Sequence, residues 1–333
     1  MTDESLAQLS NLLVYATLLV LAMAMFCFAL DLGVGTGRRR ALASQRRGAA
    51  RTSVASTSGG LDVRQKTSAP ATPEPNERWA RVGLSLSTLA FLLLVAAVVT
   101  RGLSAGRPPW GNMYEFSLAG ATAALGVWLV LTRRRNEARE LGLIVVLAVL
   151  LILGVAVVVL YTEAAQLVPA LKSYWLWIHV SAAIISSGIF TVGSAASALF
   201  LVTDRHDRRL AEGKVLGDSG LLDKLAVRLP SSRSLDRVAY QMIAIAFPLW
   251  FFAIVAGAIW AEGAWGRYWG WDPKETWAFI TLVIYAAYLH ARSTAGWRGR
   301  PAAIVALVGF AAFLFSYIGV NIFFFGLHSY GGV

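Results

Sequence analysis

The chain has 333 residues, 57% of them hydrophobic and 15% charged, with a formal net charge of +11 and a mean hydropathy of +0.59. Such hydropathy lies well outside the range of soluble globular domains, so the bilayer is the solvent of this fold and the positive charge is a question of topology, not of nucleic-acid binding. A single cysteine, Cys27, excludes a disulfide framework, a CxxC redox pair and a cysteine-based zinc site.

Eight apolar runs are long enough to cross ~30 Å of hydrocarbon as helices. They cover Asn11 to Leu30, Val82 to Thr100, Phe116 to Thr132, Leu141 to Thr162, Ser173 to Thr203, Val238 to Ala261, Thr276 to Ala291 and Pro301 to Leu327. The opening MTDESLAQLS lacks a basic n-region, so the first run reads as a retained helix and not as a signal peptide. Gly35 to Asn76 is rich in Arg, Ala, Gly, Ser, Thr and Pro without apolar periodicity, which predicts a disordered basic linker. The expected organisation is an N-terminal helix over residues 1–35, a linker over 36–78 and an all-α membrane domain over 79–333. Asp204 to Arg237 contains LLDKLAVRL and predicts a short surface helix, with His206 in DRHDRR solvated and without a role.

Of the 30 basic residues, 25 fall between Thr36 and Val82 and in the stretches Arg133 to Arg139, Asp204 to Arg237 and Arg292 to Arg300. The other side keeps only Arg101, Arg107, Lys172, Arg267 and Lys274. The basic side is therefore expected to be cytoplasmic, and with an even number of spans both termini face outward.

The outward loop between the sixth and seventh spans reads WAEGAWGRYWGWDPKETW, from Trp260 to Trp277, and holds five of the 12 tryptophans. Interface anchoring accounts for one or two rings per helix end. Five of them, at Trp260, Trp265, Trp269, Trp271 and Trp277, broken by Gly263, Gly266 and Gly270, exceed that need. Glycine permits close backbone approach and indole faces stack, so a planar macrocycle is the ligand that fits. Asp272, Pro273 and Glu275 match an N-cap, a first-turn proline and a capping-box acid, so they start the seventh helix; contact with a ligand or partner is compatible with that role.

The fifth run is 31 residues long where ~20 suffice, which leaves SYWLWIHV and its His179 at the outer boundary, ~35 Å along the helix from Val202. His328, in GLHSYGGV, follows the eighth span on the same face. Two imidazoles on separate helices flanking the tryptophan loop are natural axial ligands for haem iron. His290 lies two residues before Arg292 and ~21 Å along its helix from Thr276, too far to share that iron. As an ionisable residue at membrane depth it is either functional or a helix-end histidine satisfied by the dipole.

Together these residues resemble the haem-handling membrane proteins marked by a tryptophan-rich WWD domain, and within them the CcsA (also CcsB or ResC) component of the system II cytochrome c synthase. The resemblance rests on WGRYWGWDPKETW at Trp265 to Trp277, on WIHV around His179, YLHAR around His290 and GLHSYG around His328. PPWGNMYEF, Pro108 to Phe116, also looks like a family feature, and the likeness runs from Val82 to the C-terminus.

The resemblance implies that His179 and His328 ligate an external haem b presented by the loop bearing Trp265, Trp269, Trp271, Asp272 and Glu275, with His290 an intramembrane haem ligand on the entry route. It implies a ResB-type partner that supplies a missing intramembrane histidine. The substrate is then a secreted apocytochrome c whose CxxCH thiols, kept reduced by thiol reductants, add across the haem vinyl groups. The site would face outward from the plasma membrane. This chain offers no nucleophile, so its share is positioning of reduced haem. Three other readings stand beside it: a system I-type relative that passes haem on, a haem exporter, and a b-type electron-transfer cytochrome. The last would need histidine pairs at both depths, and a purely structural subunit would leave the tryptophan loop unexplained.

Overall fold

The computed structural model describes residues 3–54, 78–164, 173–212 and 221–328. Ten α-helices carry the described chain: α1 (Glu4–Val54), α2 (Arg78–Ala105), α3 (Met113–Arg134), α4 (Gly142–Val158), α5 (Tyr174–Ala211), α6 (Leu221–Ala226), α7 (Ser232–Trp265), α8 (Pro273–Ser293), α9 (Arg300–Leu314) and α10 (Val320–Phe323). A 3-10 turn over Asn136–Leu141 precedes α4, and a π-helical turn over Phe315–Gly319 joins α9 to α10. No strand occurs among the described residues.

Among the described residues seven helical segments are long and apolar enough to cross a membrane: α1 to Asp31, α2, α3, Ala138–Val158, α5, α7 and the continuous Arg300–Phe323. The eighth expected span is α8, whose 21 residues reach ~31 Å; it packs between α7 and α9 and is less apolar because Thr281, Tyr285, Tyr288 and His290 interrupt it. The protein is an all-α polytopic membrane protein. The backbone of α1 stays helical to Val54, twenty residues into the stretch read as linker; residues 55–77 lie outside the described residues.

At the centre stands α5. In its most apolar stretch 83% is buried, against 33% for α1 and 28% for α2, which lie at the lipid-facing periphery. Its sequence explains the position. Ala182, Ala183, Ser186, Ser187, Gly188, Thr191, Gly193, Ser194 and Ala195 present small side chains on several faces, so neighbouring backbones can approach closely. A Cβ at Gly188 would stand 2.7 Å from the backbone of Ala123 on α3. The hydroxyls of Ser186, Ser187 and Thr191 are paired, donating to the carbonyls of Ala182, Ile184 and Ser187 at 2.6, 2.7 and 2.8 Å.

The expected short helix after α5 is α6. The reading of His206 as solvated is corrected, since α5 continues to Ala211 and carries His206 against α6, where it is buried with Nδ1 3.3 Å from Asp223 Oδ1. Arg209 shares that carboxylate at 2.9 Å.

Candidate functional site

At one end of the bundle the α7–α8 loop, the α2–α3 loop, the start of α5 and the segment after α10 surround one cavity. Counted out to and including its open mouth, the space between them is about 1200 Å³. Its walls include His179, Trp250, Trp260, Tyr268, Trp269, Lys274, Glu275, Phe313, Tyr317 and His328. The two histidines expected to act together thus face one space.

Both rings are oriented through Nδ1. His179 sits 2.7 Å from the main-chain oxygen of Ala253 on α7. A carbonyl can only accept, so Nδ1 carries the proton and Nε2 keeps its lone pair. Gly257, one turn further along α7, makes this possible, because a Cβ there would lie 2.7 Å from the His179 ring. The ring also lies parallel to Trp260, at 7° and 6.4 Å between centroids.

His328 is held differently. Its Nδ1 is 2.9 Å from Asp272 Oδ1, while Asp272 Oδ2 accepts the Leu327 N–H at 2.6 Å. Burial opposes ionisation of Asp272, but the His328 hydrogen bond and charge, with the N–H groups of Lys274 and Leu327, bring its pKa down to about 2. Asp272 is therefore a carboxylate at neutral pH, and Nδ1 of His328 is the donor. Gly326 allows the close approach, since a Cβ there would meet Asp272 Oδ2 at 2.4 Å. Trp265 stands edge-on to His328 at 5.0 Å, and Trp260 bridges the two histidines, tilted against His328 at 5.9 Å.

The loop itself is built by carboxylates. Gly266, at φ 70°, ends α7 with a left-handed cap. Asp272 caps α8 through the Lys274 N–H at 2.9 Å, and Glu275 Oε2 accepts the N–H groups of Gly270 and Asp272 at 2.9 and 3.1 Å. The capping box expected from the sequence is present. By gripping the amides on both sides of Trp271, Glu275 holds that residue at φ 57°, a left-handed conformation that side chains rarely adopt. Trp271 is turned out of the cavity, 64% exposed and edge-on to Trp269.

The expected site residues therefore divide. His179, His328, Trp269 and Glu275 line the cavity, Asp272 and Trp265 touch His328, and Trp271 points outward. His290 is exposed near the other end of α8, 16 residues and ~24 Å from Lys274. Sequence reasoning gave no role to the α2–α3 loop, whose Trp110, Gly111, Asn112 and Met113 form a cavity wall. A buried triad fixes that wall. Glu115 accepts from Arg101 Nε at 3.3 Å, Arg107 NH1 at 2.7 Å and the Gly111 N–H at 2.8 Å, and Asn112 caps α3 through the Glu115 N–H. Two of the five basic residues on this side, together with one acid, were the available signal.

Residues 110–328 match the family described as Cytochrome C assembly protein. The chain belongs to the cytochrome c assembly protein family. It is 38% identical over 271 residues to the cytochrome c biogenesis protein CcsA of Parasynechococcus marenigrum, covering 76% of this chain and 88% of the relative. It is also 38% identical over 286 residues to that of Synechococcus elongatus (75% and 87%) and 35% identical over 306 residues to that of a Synechocystis species (78% and 90%). Among solved structures, the cytochrome c haem lyase CcmF superposes with a TM-score of 0.55 at 16% identity, covering 99% of this chain. This likeness is one of fold, and the chain spans about half, 53%, of that lyase. The family match runs from the Trp110 wall to His328 and so brackets the whole cavity.

Proposed function

We propose that this member of the cytochrome c assembly family carries haem b in the cavity between His179 and His328 and presents it, reduced, at the outer membrane face for attachment to the CxxCH motif of a secreted apocytochrome c. The observation that carries the reading is the pairing of two imidazoles on one cavity, each donating a hydrogen bond through Nδ1 and so leaving the Nε2 lone pair for iron. Such outer hydrogen bonds orient and strengthen metal ligands. The indoles of Trp110, Trp250, Trp260 and Trp269 with the rings of Phe116 and Phe313 form part of the remaining wall and suit a flat macrocycle.

In the attachment each thiol adds across a vinyl group, forming one C–S and one C–H bond. This chain contributes no nucleophile to that step. It contributes placement, holding the macrocycle where the two thiols reach it, and a pair of axial ligands that keep the iron six-coordinate until the apocytochrome histidine takes one place. The division of basic residues supports an outward-facing cavity in the plasma membrane. His290, exposed near the opposite end of α8, is placed to meet a ResB-type partner that brings a second intramembrane histidine. The chain then acts as one subunit of a haem lyase, with haem entering past His290.

Visible spectra of the purified chain and its partner, wild type beside His179→Ala and His328→Ala, test this. The expected result is a low-spin reduced haem spectrum lost in either variant and restored by imidazole. A wild type without haem from haem-replete cells, or two variants with unchanged spectra, would refute it. Thioether-linked product formed by the complex separates attachment from mere export.

A further inference from the structure

Lys274 is the one cation lining the cavity among the described residues, and the function above gives it no task. It leaves the first turn of α8 and runs to the wall formed by the π turn, where Nζ donates to the main-chain oxygen of Ser316 at 2.9 Å. Ser316 belongs to the π turn, where the helical hydrogen-bond register shifts.

One neutral acceptor is a poor return for an ammonium set in an apolar wall, since a charge away from water needs a counter-charge as well as hydrogen bonds. Asp272 lends it some counter-charge from a distance, but no carboxylate pairs with it directly. Both oxygens of Asp272 are engaged by His328, Leu327 and the Lys274 amide, and Glu275 Oε2 grips two loop amides. No carboxylate lies within ion-pair distance of Nζ among the described residues. The remaining ammonium protons face a cavity walled by Trp250, Ala278, Phe313 and Tyr317.

Resting on the haem reading, we propose that Lys274 is the carboxylate-recognising residue of the cavity and takes the propionate edge of the macrocycle against its membrane-side wall. The placement has a chemical consequence. Trp250 lies midway along α7 and Phe313 ten residues before the end of the continuous Arg300–Phe323 span, whereas Trp110, Tyr268 and Trp269 belong to the loops at the bundle end. In haem b the vinyl groups lie on the side of the ring away from the propionates. Propionates held at Lys274 therefore turn the vinyl edge toward the loops, where the thiols of an incoming chain arrive. Lys274 is in this sense a positioning residue, setting which edge of the substrate is offered.

The test compares binding of haem b and of haem b dimethyl ester to the full chain in identical micelles. Variants Lys274→Gln, Lys274→Met and Lys274→Arg are measured beside the wild type. The wild type is expected to prefer the free acid by about tenfold or more, the size of one charge-assisted pair. Lys274→Gln, which can still donate to Ser316, should bind both forms alike, and Lys274→Arg should keep the preference. Equal binding of the two forms by the wild type, or a preference that survives in Lys274→Gln, overturns the assignment. So does Lys274→Met weakening both forms equally with the preference intact, which would leave Lys274 a prop for the π turn. Failure of the haem reading itself looks different, because then neither form binds the wild type.

Discussion

Asp272→Asn separates the two jobs of the residue that ties the loop to His328. Asparagine caps a helix about as well as aspartate, so α8 should keep its first turn and lose only the charge near its N-terminus, worth ~0.3–1 kcal/mol. The imidazole fares worse. The carboxylate that accepts the Nδ1 hydrogen bond at 2.9 Å becomes a neutral amide, and removal of such a partner typically costs 10- to 100-fold in metal affinity, about 1.4–2.7 kcal/mol. Haem titration of the full chain at the Soret band, run beside thermal unfolding, reads the two effects separately. A loss of at least tenfold in haem affinity with a small change in Tm is the expected pair. Affinity within twofold of wild type, in a variant that folds normally and in which His328→Ala still abolishes the spectrum, would refute the orienting role of Asp272.

Gly257→Ala should push the His179 ring off Ala253, since the new methyl would sit 2.7 Å from it. Overpacking of ~1–3 kcal/mol should appear in Tm, with a low-spin spectrum that recovers on adding imidazole. Glu115→Ala strips the counter-charge from the fully buried Arg101 and should cost ~3–5 kcal/mol, whereas Glu115→Gln, which retains an acceptor for Gly111, should cost less; denaturation of both variants checks the order. Asp272 also sets an acid limit. Its folded pKa is lowered from 3.8 to about 2, so its stabilisation is complete above about pH 4 and is lost as pH falls toward 2. The Tm difference between wild type and Asp272→Asn should therefore be flat above pH 4 and shrink below it.

Much of this protein is legible in its sequence because the bilayer forces the issue. Apolar run length and the distribution of arginine yield the helices and an expected sidedness before any packing is known. The capping box is equally local, since Asp272, Pro273 and Glu275 meet their partners within a few residues. The histidine pair was readable only as two residues on one face. What orients them was not, because the partner of His179 is a main-chain carbonyl, and every residue has one. Gly257 matters for a methyl it lacks, which becomes visible only when another helix lies against it. The contact between Lys274 and Ser316 spans 42 positions and depends on a π turn that no local pattern in FSYIG announces. His206 was misread for the same reason, since DRHDRR looks solvated until α6 folds back over it.

The two imidazoles are held by unequal partners, and the inequality follows from the fold. His179 donates a hydrogen bond to a neutral carbonyl within the α7 ladder, a fixed point that moves only if the helix does. His328 donates one to a carboxylate that also starts α8 and accepts the Leu327 amide, so the chain after α10 is tied to the tryptophan loop through one side chain. A carboxylate raises the basicity of the imidazole it holds more than a carbonyl does. If haem is held between them as proposed, His328 would be the stronger ligand and His179 the one a competing histidine displaces at lower cost, so the stronger ligand would be the one fastened to the tryptophan loop.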